Sequence, residues 1–87
     1  MNLSGEQIKV LRALADGWAL KSHRYLDGVK VYKLHPLDGP THEVAEAVMD
    51  FLKTQQLIDS NKKFPAATYL LTDAGRRLIS SLAKSTR

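Results

Sequence analysis

Apolar positions change period several times along the chain, and each change marks an element. Between Ser4 and Gly17, Ile8, Leu11, Leu14 and Ala15 recur at helical spacing, opposite Lys9, Arg12 and Asp16. Ser4 and Gln7 make an S-x-x-Q capping box, and Leu3 with Ile8 supplies a hydrophobic staple. Gly17 suits the left-handed residue that ends a helix. From Leu20 to Leu34 the residues are strand formers on either side of Asp27-Gly28, a strong two-residue turn signal. That loop predicts a hairpin pairing Leu26 with Val29, Arg24 with Val31 and His23 with Tyr32. Neither face of such a hairpin is cleanly apolar, so its inward side stays open.

Pro36, Gly39 and Pro40 then stop both strand and helix. Thr41 is placed to cap a second helix, with Glu43 in its first turn and Val44, Ala45, Val48, Phe51 and Leu52 as its apolar stripe. Leu57-Ile58 opens a further strand, and residues 59–67 form a loop tipped by Asn61-Lys62-Lys63. Thr68 to Leu71 returns as the partner strand. Thr72 caps a last helix with Ala74, Leu78, Ile79 and Leu82 as its apolar positions. The predicted fold is α+β, one domain over residues 1–87, in the order helix-strand-strand-helix-strand-strand-helix.

Two passages carry a resemblance. Phe51-Leu52-Lys53-Thr54-Gln55-Gln56-Leu57-Ile58 resembles a recognition helix running into the first wing strand of a winged helix protein. Tyr69-Leu70-Leu71-Thr72-Asp73-Ala74-Gly75-Arg76-Arg77-Leu78 resembles the passage from the second wing strand into the last helix. The resemblance implies a winged helix-like, helix-turn-helix fold with a DNA-binding, transcription-associated role, and it makes residues 59–67 the wing. The first half departs from the pattern, because the Asp27-Gly28 hairpin stands where a short helix is usual. The opening Met1-Asn2-Leu3-Ser4, with Glu6-Gln7, Leu11, Leu14-Ala15 and Gly17, is also similar to the small bacterial YjhX-like family of candidate toxins.

Charge sharpens the functional expectation. The formal net charge is +4, which favours a polyanionic partner. Lys62 and Lys63 tip the wing, Arg76 and Arg77 open the last helix, and Arg24 and Lys30 sit on the hairpin with Lys21 and Lys33. Such a distribution suits salt-sensitive phosphate contact with double-stranded DNA rather than base reading. Glu43, Glu46 and Asp50 fall on the outer face of the second helix, where they repel phosphate. They suit a protein partner instead, either another chain or a second copy in a homodimer. Trp18, Tyr25, Tyr32 and Phe64 are either stacking platforms for single strands or ordinary core and cross-strand residues.

Catalysis has no foothold here. No G-x-S-x-G elbow, phosphate loop or acid–base carboxylate pair is present, and His23, His35 and His42 lack metal-ligand spacing. A non-enzyme without cofactor or metal is expected. There is no cysteine, no signal-peptide pattern and no apolar run near the roughly 20 residues that span a bilayer, so the expected setting is cytoplasmic.

Overall fold

A computed structural model describes residues 3–62 and 66–85. Its elements are α1 (Gly5–Ala15), β1 (Ala19–Arg24), β2 (Lys30–His35), β3 (His42–Val44), α2 (Glu46–Thr54), β4 (Ile58–Ser60), β5 (Ala66–Leu71) and α3 (Asp73–Ser85). All strand pairs are antiparallel, in one sheet of order β3-β2-β1-β5-β4. The class is α+β as expected, but the element order gains a strand, β3. Among the described residues no helix is long and apolar enough to cross a membrane.

Both ends of α1 are set locally. The Ser4 hydroxyl accepts from the Gln7 N–H at 3.2 Å, and the Gln7 side chain accepts from the Ser4 N–H at 2.8 Å. At the other end Gly17 is left-handed (φ 96°). Its N–H reaches the Leu14 carbonyl at 3.1 Å, while the Trp18 N–H reaches Ala13 at 3.0 Å, a Schellman closure. The buried stripe is Val10, Leu11 and Ala13, and Ala15 is exposed.

The hairpin register differs from the expected one by a residue. Arg24 opposes Lys30, His23 opposes Val31 and Ser22 opposes Tyr32. The Tyr25 N–H bonds the Val29 carbonyl at 2.8 Å, so the loop is Leu26-Asp27-Gly28, three residues long. Asp27 stabilises it by accepting from the Val29 N–H at 3.0 Å, and left-handed Gly28 (φ 91°) closes it. A one-residue slip moves every β2 side chain to the other face. Leu20, Ser22, Tyr32 and Leu34 now share one face with Val44, Ala67, Tyr69 and Ile58, and all are buried. Tyr32 and Tyr69 meet edge to face at 6.1 Å, reaching across β1 over the small Ser22.

β3 corrects the expected second helix. The segment 42–44 pairs with β2, Val44 opposite Tyr32 and Glu43 opposite Lys33. That pairing covers an otherwise open sheet edge and buries Val44 as a strand residue. The helix begins only at Glu46, and its N-cap Ala45 makes no side-chain bond. Thr41 therefore caps nothing, and Glu43 is a strand residue. Because β3 and β4 are opposite edges of the sheet, α2 carries the chain across the covered face from one edge to the other, burying Val48, Met49 and Leu52.

α2 ends in a second Schellman closure, with the Leu57 N–H on Leu52 at 3.0 Å and the Gln56 N–H on Lys53 at 3.0 Å. Here the left-handed residue is Gln56 (φ 59°) rather than glycine. The same joint anchors α3. The Thr72 hydroxyl donates to the Gln56 carbonyl at 2.6 Å and accepts from the Gly75 N–H at 3.1 Å. The Thr72 N–H bonds the Leu57 carbonyl at 3.1 Å, and a Cβ on Gly75 would overlap that carbonyl oxygen.

Two outcomes are expected in thermal unfolding. Gly75→Ala gains about 1 kcal/mol of helix propensity but forces backbone apart, for a net loss of about 2–3 kcal/mol. The midpoint should fall by roughly 10 °C or more; an unchanged midpoint would contradict the close approach. Gln56→Gly removes a left-handed strain of about 1 kcal/mol, partly offset by glycine's unfolded entropy. It should raise the midpoint by about 2–4 °C, and a lowered one would show that Gln56 is unstrained.

Candidate nucleic-acid interface

β1 runs antiparallel to both β2 and β5, with His23 opposite Ala66. The β1–β2 turn and the described ends of the β4–β5 connection, Asn61-Lys62 and Ala66, therefore lie at one end of the sheet. That end gathers Arg24, Lys30 and Lys62, three of the basic residues expected to contact phosphate. Lys63 and Phe64 lie outside the described residues.

Each cation is positioned by its element. Arg24 and Lys30 are directly paired across the ladder, an unfavourable like-charge arrangement. Arg24 spends one donor on the Gly28 carbonyl at 3.1 Å and keeps the rest of its guanidinium fork for other partners. The Lys30 ammonium lies 5.5 Å from the Tyr32 ring centroid. Lys62 is exposed and left-handed (φ 59°), with its N–H on the Ser60 hydroxyl at 2.7 Å.

Lys53, in the last turn of α2, joins this group unannounced by the sequence pattern. Its ammonium is 5.4 Å from the Tyr32 centroid and donates to the Tyr32 hydroxyl at 3.4 Å. Partial burial alone pulls its pKa down. The hydrogen bond to Tyr32 and the proximity of Tyr32, Tyr69 and Asp50 outweigh that, so the group is held above the ordinary lysine range. It stays charged, and the Tyr32 ring sits against two ammonium groups.

Arg76 and Arg77 are elsewhere. They open α3 at the opposite end of β5, a six-residue strand, hence about 20 Å from the β4–β5 loop. Arg76 pairs with Asp73 at 3.2 Å in an exposed, screened contact. Lys62 and the pair Arg76 and Arg77, expected to contact phosphate together, thus lie at two ends of the molecule. The expected acidic face is also divided: Glu43 is on β3 beside Lys33, while Glu46 and Asp50 remain exposed one turn apart on α2. Asp50 lies 4.0 Å from Lys53.

The aromatics separate as well. Tyr32 is buried and Trp18 is partly buried, stacked on His42 at 5.8 Å. Of the aromatic candidates within the described residues, Tyr25, at 46% exposure, is the most open. Lys21 and Lys33 prove to be direct cross-strand neighbours on the face opposite the helices. Reading the turn as Leu26-Asp27-Gly28 would have found that pair from the sequence; the shorter Asp27-Gly28 loop hides it.

Among the described residues no group of three or more His, Asp or Glu side chains is placed to hold a metal ion. Comparisons with protein-family models, with curated proteins and with solved structures return no match.

Proposed function

We propose that this chain is a small non-enzymatic DNA-binding protein, winged helix-like in plan, that holds duplex by its phosphates through the hairpin end of the sheet. The observation that carries the reading is the register His23 opposite Ala66, which brings Arg24, Lys30 and Lys62 to one end. Lys53 reinforces the same end through Tyr32. Cations gathered at one end suit a backbone contact that carries no sequence information by itself.

α2 is the natural candidate for a reading helix under the winged helix resemblance, but its position argues for a different role. It crosses the covered face of the sheet with Val48, Met49 and Leu52 buried, and its outer side carries Glu46 and Asp50. Carboxylates facing a phosphate every ~1.7 Å of duplex axis are repelled. Specificity, in this reading, comes from elsewhere or is weak, and the affinity is strongly salt-dependent.

Fluorescence anisotropy with a labelled duplex across a salt series tests this. Arg24→Ala, Lys30→Ala and Lys62→Ala should each remove one phosphate partner and lower the slope of log K against log salt by about 0.9. Arg76→Ala with Arg77→Ala should change it far less. Absence of duplex binding at micromolar protein in low salt would refute the proposal, as would equal losses from the two ends.

A further inference from the structure

All three helices pack on one side of the sheet, and the other side is uncovered. Its residues, at the alternate positions of each strand, are all exposed or half-buried. At its centre Lys21 and Lys33 oppose each other directly. His23 and His35 sit one register step beyond them, each diagonal to one lysine. The row through the two lysines reads Glu43, Lys33, Lys21, Thr68, so the only carboxylate in it is at the sheet edge. Among the described residues the two ion pairs, Lys53–Asp50 and Arg76–Asp73, both lie off this face.

From these features we propose that the uncovered sheet face is a binding platform for single-stranded nucleic acid. Directly opposed lysines are destabilising in a ladder, and no ion pair among the described residues neutralises them. An anionic strand laid across β1 and β2 supplies the missing charge. Lys21 and Lys33 form one charged pair, and His23 and His35, one to each side, extend the polar row to about 14 Å along the strands as hydrogen-bonding partners. Between these side chains a shallow groove of about 310 Å³ is lined also by Val31, Ala66 and Tyr25. The Tyr25 ring stands edge-on to His23 at 4.8 Å and is 46% exposed. Unpaired bases have faces to lay on such apolar and aromatic surface, whereas a duplex hides its bases in its own stack.

The alternative occupants fit less well. A second copy packed face to face would set four lysines against one another. An acidic peptide would satisfy the charge but leave Tyr25 and Val31 without a matching planar partner. The platform is separate from the hairpin-end contact with duplex, since Lys21 and Lys33 point away from the face that carries Arg24 and Lys30.

The test is anisotropy of a labelled oligothymidylate of about 12 nucleotides, with unlabelled duplex and polyglutamate as competitors. Lys21→Thr with Lys33→Thr should lower the salt slope by about 1.4, at roughly 0.7 per phosphate contact on a single strand. The same variant should unfold at an equal or higher temperature, because a like-charge pair is removed. Tyr25→Leu should weaken binding roughly tenfold with little change in salt slope, the signature of a missing stacking surface. Arg24→Ala with Lys62→Ala should spare most single-strand binding, so failure of the duplex reading would leave this one standing. The platform is refuted if the double lysine variant binds as the parent does or if Tyr25→Leu has no effect. Competition by polyglutamate as strong as by the oligonucleotide would also overturn it, showing unspecific charge attraction.

Discussion

The carbonyl of Leu57 is where α2, β5 and α3 are tied together. It follows the left-handed Gln56 that ends α2, accepts the Thr72 N–H from the end of β5, and lies against Gly75 in the first turn of α3. The Thr72 hydroxyl bridges the same joint, donating to Gln56 and accepting from Gly75. One side chain thus caps a helix and holds the preceding helix's exit. Only a glycine lets α3 come this close, and the closeness sets how α3 meets the core through Ala74, Leu78 and Ile79. With α3 seated there and α2 crossing from β3 to β4, all three helices are committed to one side of the sheet.

That commitment determines what the other side must be. A single helical layer covers a five-stranded sheet on one face, and the apolar residues Leu20, Leu34, Tyr69 and Ile58 are used there. The alternate positions are left to water, and they are Lys21, His23, Lys33 and His35 at the centre rather than an alternation of opposite charges. A surface under pressure for stability alone would have separated Lys21 from Lys33 or set a carboxylate between them. The like-charge pair is therefore a cost that Glu43, opposite Lys33 at the sheet edge, offsets only on one side. A similar cost arises for Arg24 opposite Lys30 at the hairpin end, where the face of the Tyr32 ring gives the Lys30 ammonium partial compensation.

The basic residues of the candidate site were legible as residue types, and their grouping was not. Arg24, Lys30 and Lys62 come together because β1 pairs with β5, a contact between segments more than forty residues apart. Arg76 and Arg77 follow Lys62 closely along the chain, yet β5 carries them to the far end of the sheet. Glu43 left the acidic face for a similar reason: its neighbours Thr41 and Val44 read as a helix start, but the unpaired edge of β2 captured the segment as a strand. A local propensity difference of tenths of a kcal/mol per residue does not resist a ladder that buries Val44.

What the sequence by itself determined is local. The Ser4–Gln7 capping box, the Gly17 closure, the Thr72 cap and the presence of three helices each depend on residues within four or five positions, so they could be read directly, although the buried stripes of α1 and α2 were read only in part. The two hairpins were legible in outline for the same reason. Only the tertiary structure decided the β1–β2 register, the existence of β3 and which face of the sheet is bare. The Asp27-Gly28 signal is compatible with a loop of two or three residues, and the choice between them is made by burial. One register places Tyr32 and Leu34 beside Leu20 under the helices, and the other would place them in water. That single step also brought Lys21 and Lys33 face to face.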